Sequence, residues 1–421
     1  MKPLLLTIAL ASTVSASTPD WPQWRGPKQD GISTEKGLLK EWPSDGPPLA
    51  WRIKGIGKGY SSVSIAGGRI YTFGMANRPD GSGIYVTALN LADGTEVWAT
   101  ALSKGYSSPP NGTPTIDGKL LFVVGNKGDL ACLETDTGKL VWKKNFPADF
   151  GGQCMSGWGY SESPLVDGDR LICVPGGRDA GIAALNKKTG EVIWKSEIPD
   201  IGRAGKDGAG YTGVVISQGA GLKQYVTLVG RGLVGVRASN GKFLWGYNRI
   251  ANGTADVPTP IIKGDYVFGS SGYGDGGTAL VKLVKDGAGV KAEEVYYLKA
   301  NELQNHHGGM LLLGDHVYMG HGHNNGFPTC VELMTGKIVW GKERGPGSGS
   351  AAIVMADGHL YFRYEDGVMA LIEATTKGYN LKSSFTLASK VDKSWPHPVI
   401  HNGKLYIRDQ DNLLCYDVKA K

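Results

Sequence analysis

Five of the eight histidines in this chain lie between positions 306 and 323, and four of them, His306, His307, His321 and His323, fall outside the Gly-turn hairpin that holds His316. Imidazole ligates metals and exchanges protons near neutral pH, so the grouping has chemical content. His321 and His323 stand two apart and would share one side of a strand, whereas only one of the adjacent His306 and His307 can point with them. His307, His321 and His323 are thus candidates for a three-nitrogen metal site; hydrogen bonding to loop carbonyls or to a ligand is the alternative. His397 lies in a further polar loop, and other loops carry Glu162, Arg178, Arg231, Glu365, Arg408 and Asp409. These charged side chains either pair with one another and fix the loops or meet a ligand. Aromatics are interleaved with them at Trp158, Tyr160, Tyr273, Tyr364 and Trp395. Ring faces beside polar groups suit a polyol or sugar. Lyase or hydrolase chemistry would also need a positioned acid and base, such as His with Tyr or paired carboxylates.

Residues so far apart meet only if the chain between them is regular, and it repeats. Ala88-Leu89 through Asp93-Gly94 to Trp98 returns as Cys132-Leu133 through Thr137-Gly138 to Trp142, and as Ala184-Leu185 through Thr189-Gly190 to Trp194. Looser copies run from Gly235 to Trp245 and from Cys330 to Trp340. Each reads as strand, tight turn, strand, with glycine supplying the positive φ of the turn. The small residues that open the units, Ala88, Cys132, Ala184, Gly235, Ala279, Cys330, Ala370 and Cys415, recur about every 40–50 residues, the period of a propeller blade. An apolar hairpin with a Gly turn precedes most copies, as at Ile116-Asp117-Gly118 and Val166-Asp167-Gly168. The fold expected is all-β: an eight-bladed propeller of four-stranded antiparallel blades. The eighth unit stops at Cys415-Tyr416-Asp417, and Trp51 has no unit before it, so an N-terminal strand through Leu49-Ala50-Trp51 should close the last blade. Loops before the first strand and after the second then share one mouth, and every candidate residue belongs to such loops.

Residues 1–16 have the Lys, short apolar run and small-residue cleavage site of a secretory signal. Residues 17–46 read as an N-terminal extension, and 47–421 as a single propeller domain. A periplasmic or secreted, soluble monomer is expected, with no transmembrane segment. Three of the five cysteines fall in the small-residue column; a Cys154–Cys173 disulfide is the one pairing left open. A net charge of +6 without basic blocks gives no support for nucleic-acid binding.

The unit Ala-Leu-x-x-x-Thr-Gly-x-x-x-Trp resembles the tryptophan-docking repeat of pyrroloquinoline-quinone-type propellers. That family includes quinoprotein alcohol dehydrogenases and the propeller lipoprotein of the outer-membrane assembly machine. The resemblance runs from about Trp51 to the end of the chain. The opening Asp20-Trp21-Pro22-Gln23-Trp24-Arg25-Gly26-Pro27, with Gly37-Leu38-Leu39 and Trp42-Pro43, is similar to exported bacterial proteins of quinone-binding-like repeat type. For the dehydrogenases the resemblance implies an axial quinone with calcium, an Asp base and an adjacent-cysteine disulfide. This chain has neither a Cys-Cys pair nor a Cys-x-x-Cys-His haem site, and none of the dehydrogenases' catalytic positions carries over, so pyrroloquinoline quinone with calcium is not favoured. The expectation is a mouth that binds a small polar ligand, polyol or sugar-like, or a protein partner. A quinone- or metal-dependent alcohol or sugar dehydrogenase and an outer-membrane assembly scaffold are the alternatives.

Overall fold

The computed structural model describes residues 19–104, 108–341 and 343–421, so the expected signal segment lies outside the described residues. Among these, the strands form eight sheets, each with four antiparallel neighbours in the expected blade order. Blades one to seven span 64–104, 115–145, 165–196, 215–247, 261–299, 310–340 and 351–386. The eighth combines Val399–His401, Lys404–Asp409 and Asn412–Asp417 with Leu49–Lys54, whose Trp51 pairs with Cys415. The ring is closed by the N-terminal strand, as the unpaired ends of the repeat require.

The small-residue column is buried throughout, with Ala88, Ala184 and Cys330 fully inaccessible. All five cysteines are free thiols, and burial pushes Cys132 and Cys415 up to about 12, which makes them poor nucleophiles.

At five seams a ring of one blade's outer strand lies on the turn glycine of the next blade, whereas Trp245 of blade four packs on Gly235 and donates to Gln224 within its own blade. Trp51, Trp98, Trp142 and Trp194 cover Gly94, Gly138, Gly190 and Gly241 in turn. The indole N–H of Trp51 donates to Ala92 O at 3.0 Å, that of Trp98 to Thr135 O at 3.0 Å, and that of Trp142 to Lys187 O at 3.0 Å. Blade five lacks a Trp here; Tyr296 takes its place over Gly336, its hydroxyl donating to Leu333 O at 2.7 Å. A docking glycine has two duties, a left-handed φ and an empty Cβ position.

The extension is part of the propeller. Trp21 bridges to Ile65 on the inner strand of blade one, and Ile116 N–H of blade two donates to Pro22 O. Beyond these, Arg25 donates to Met310 O of blade six, and Ile32–Ser33 pairs in parallel with blade seven's inner strand. Residues 21–33 therefore cross the channel and plug it.

Gly168 and Gly190 separate the two duties. Both have left-handed φ, +62° and +73°, but a Cβ on Gly168 meets nothing within 4 Å, while one on Gly190 would stand 2.7 Å from Trp142 Cδ2. Gly168→Ala is expected to cost about 1–2 kcal/mol of backbone strain, and Gly190→Ala about 1–3 kcal/mol more from overpacking. Denaturant melts of the two variants check this; equal losses would show that the indole does not bear on the turn.

Candidate functional site

Above the plug lies a cavity of about 300 Å³, lined by residues that precede first strands or follow second strands. A chain of hydrogen bonds sets the register of its wall: Ser62 N–H donates to Thr113 Oγ1, Thr113 N–H to Ser163 Oγ, and Gly213 N–H to Thr259 Oγ1. Each link passes from one blade to the next. Trp24 of the plug lies in the lining, its ring 5.2 Å from that of His397 in an edge-on contact. Tyr60, Trp158, Tyr211, Tyr273 and Trp395 complete the aromatic lining, with Tyr60 stacked on Trp395 at 4.5 Å. Asn111 holds the Trp158 loop, its amide donating to Trp158 O at 3.1 Å and Ser161 Oγ at 2.9 Å.

Four imidazoles line the same space: His306, His307, His323 and His397. His306 stacks on His307 at 3.5 Å between ring centres and lies 4.2 Å from His323. Its Nδ1 is 2.6 Å from Ser350 Oγ, and His307 Nε2 is 3.4 Å from the Tyr273 hydroxyl. Burial, reinforced by neighbouring imidazoles, lowers His306 to about 2 and His307 to about 3; burial and the nearby Arg25 bring His397 to about 3. These three rings are neutral at physiological pH, and a neutral imidazole offers one donor and one acceptor. One nitrogen of each of the four is buried without a partner: His306 Nε2, His307 Nδ1, His323 Nδ1 and His397 Nε2. The Trp395 indole N–H is in the same condition. Tyr273 and Asn324, on equivalent turns of blades five and six, hold positive φ of 64° and 54°, a strain that collects at functional sites.

The expected site is assembled in part. His306, His307, His323, His397 and Glu365 meet at the cavity. Both His306 and His307 reach it because they precede the strand Met310–Leu313 in irregular backbone, where alternation does not apply. His321 does not line it. It ends the strand His316–His321, its Nδ1 accepts the Gln304 N–H at 3.2 Å, and Gly322 at φ +89° breaks the alternation before His323. Among the described residues no group of three His, Cys, Asp or Glu side chains is placed to hold a metal ion, so His307, His321 and His323 do not form the triad that strand spacing suggested.

Arg408 and Asp409 are structural. Arg408 is 2 % exposed, and its guanidinium donates to Gly57 O, Ser61 O, Phe73 O and Thr72 Oγ1 of blade one and its entry loop, fastening the ring where it closes. Asp409 accepts from Ser389 Oγ and Val391 N–H. Glu162 is buried behind the wall with its carboxylate on Val174 N–H at 2.9 and 3.0 Å. Arg178 and Arg231 lie off the axis in a separate groove. Sequence reasoning missed Trp24, because nothing in a non-repeating segment says that it enters the channel, and Ser350, which orients His306.

The lining does not fit a quinone with calcium. Pyrroloquinoline quinone is a tricarboxylate, yet among the described residues Lys393 is the one lysine or arginine in the lining and Glu365 its one carboxylate. The neighbouring Arg363 is already engaged with Pro396 O and Ser394 Oγ.

Burial raises Glu162 from 4.5 to about 8. Between these values the folded protein binds the extra proton, so this carboxyl's contribution to stability is complete below pH 4.5 and is lost as pH rises toward 8, at up to about 1.4 kcal/mol per pH unit. Glu162→Gln should therefore flatten the fall in melting temperature between pH 5 and 8. A variant with the wild-type slope would place the titration elsewhere.

The family model described as outer membrane protein assembly factor BamB matches residues 82–342, from blade one to the end of blade six. BamB of Yersinia pestis is 25% identical over 340 residues, covering 76% of this chain and 77% of that protein. A quinoprotein ethanol dehydrogenase of Pseudomonas aeruginosa is 28% identical over 129 residues, which span 30% of this chain and 19% of the relative. The quinohemoprotein alcohol dehydrogenase of Comamonas testosteroni superposes with a TM-score of 0.62 at 15% identity, over 97% of this chain and 82% of that one. A europium-containing methanol dehydrogenase gives 0.60 at 14%, over 93% and 89%. At such identities the structural likeness speaks to fold alone. The matched repeat, the docked rings and the closed ring of eight blades agree, and the chain belongs to the pyrroloquinoline-quinone-like propeller family described as outer membrane protein assembly factor BamB.

Proposed function

We propose that this protein is exported to the periplasm and binds a neutral sugar or polyol in the axial cavity. The observation that carries the reading is the set of unpartnered polar atoms of the lining: one nitrogen on each of His306, His307, His323 and His397, and the Trp395 indole N–H. An unpaired buried polar group costs about 1–3 kcal/mol, and a ligand rich in hydroxyls would satisfy several at once. Trp24, Tyr60 and Tyr273 supply faces for C–H surfaces, and neutral imidazoles favour hydroxyls over full charges. The volume is at the small end for ligand sites and suits a short saccharide.

A second reading, a protein partner docked at this mouth, is favoured by the 25% identity to BamB along most of the chain and by Trp158, 60 % exposed at the rim. Among the described residues no helix is long and apolar enough to cross a membrane.

Calorimetry and tryptophan fluorescence with a panel of neutral mono- and disaccharides and polyols test the first reading. Saturable binding is expected, weakened at least tenfold in His307→Ala/His323→Ala with the melting temperature nearly unchanged. Zinc serves as a parallel probe. A panel without saturable binding, or a double variant that binds as the wild type does, contradicts the reading.

A further inference from the structure

A second concavity of about 680 Å³ opens off the axis between blades three and four. Its walls come from the turn after Arg170–Cys173, the long connection from Val192–Ser196 to Val215–Ser217, and the turn after Gln224–Val229. Close packing of glycines makes much of the wall bare backbone. A Cβ on Gly176 would stand 2.2 Å from Ala209 N, and one on Gly208 2.7 Å from Cys154 C.

Three arginines line the groove, and they differ in occupation. Arg231 is committed: Nε donates to Asp207 Oδ1 at 2.7 Å and Nη1 to Arg203 O at 3.1 Å. That pairing holds Asp207 below the usual carboxylate range, and Asp200 is occupied by the Gly202 N–H at 2.9 Å. Arg178 and Arg203 are exposed, and neither guanidinium has a partner among the described residues. One carboxylate of the groove is thus paired with an arginine and the other accepts a backbone N–H; three arginines face two carboxylates, and two planar forks are free. The groove is separate from the axial cavity but opens on the same mouth: residues 176–178 and Arg231 follow second strands, and Gln153 of the groove lies five positions before Trp158 of the cavity.

We propose that this groove is a second binding site, taking the oxyanion of an acidic saccharide whose uncharged end occupies the axial cavity. The proposal rests on the sugar reading of that cavity and makes the ligand an oligosaccharide bearing carboxylate or sulfate groups, crossing the mouth over Trp158. Guanidinium forks match such oxyanions in a bidentate manner, and an exposed indole on the path suits a sugar face. The groove is far larger than a free anion requires, and without basic blocks along the chain it lacks the charge density that a nucleic acid would demand.

The test uses the full chain and three hexasaccharides: a polyuronate, a sulfated glycan and a neutral glycan. Wild type is expected to bind one acidic hexamer at least tenfold more tightly than the neutral one at low salt, with the margin shrinking at 0.5 M salt. The two acidic arms tell carboxylate from sulfate. Arg178→Ala/Arg203→Ala should reduce the acidic hexamer to the level of the neutral one, and Arg178→Lys/Arg203→Lys should restore part of the margin. Equal affinity for acidic and neutral hexamers, or an Arg variant that binds as wild type, overturns the proposal, as does tighter Arg-dependent binding of a short single-stranded oligonucleotide. If acidic binding depends on the arginines but not on His307 and His323, the groove stands and the axial sugar reading fails.

Discussion

An aromatic ring laid on a neighbour's turn glycine is the contact on which the rest of this structure depends. A four-stranded blade buries little by itself, so its stability comes from the blade on either side. Trp98 on Gly138, Trp142 on Gly190 and Trp194 on Gly241 set the angle between successive blades, and where the indole N–H reaches the next turn's carbonyl it fixes the distance as well. The same contact between Trp51 and Gly94 crosses the seam where the chain's two ends meet, and Arg408 reinforces that seam from inside with donors to blade-one oxygens. Because the mouth loops belong to different blades, the axial cavity exists only when this circle is complete.

What the circle encloses follows from its filling. Residues 21–33 cross one side of the channel and contribute Trp24 to the lining of the pocket. Imidazoles held there lose hydration, and stacking places them against one another, so both burial and mutual repulsion favour the neutral form. Neutral rings with unpartnered nitrogens can receive hydroxyls but would serve a tricarboxylate cofactor poorly. The propeller is shared with the dehydrogenases, while the lining is this chain's own.

The architecture was legible because it is written locally. A Gly turn and a Trp a few residues on recur in five of the units, and with the column of small residues they give the blade count, the strand order and the closing strand at Trp51. Blade five was harder, since Tyr296 replaces Trp after the long strands Gly277–Asp286 and Gly289–Lys299. The site was legible at the level of loops: the repeat placed His307, His323 and His397 on one face. It was not legible at the level of side-chain direction, because alternation holds inside strands and fails at their ends. For that reason both His306 and His307 reach the cavity, where alternation allowed only one of them, and His321 turns away. Arg408 looked like a ligand group because a buried guanidinium satisfied by carbonyls leaves no mark in the sequence. The plug was hidden because its contacts, such as Arg25 to Met310 O, join residues 285 positions apart.

The account depends most directly on the axial imidazoles being neutral and available. Long-range nitrogen–proton correlation spectra of the histidine side chains, recorded from pH 8 down to pH 4, measure this at each ring. The account predicts that His306, His307 and His397 keep the shifts of neutral tautomers over the whole range, and that their resonances move when a binding saccharide is added. Any of the three titrating near pH 6.5, or all three unmoved by a saturating ligand, would contradict it.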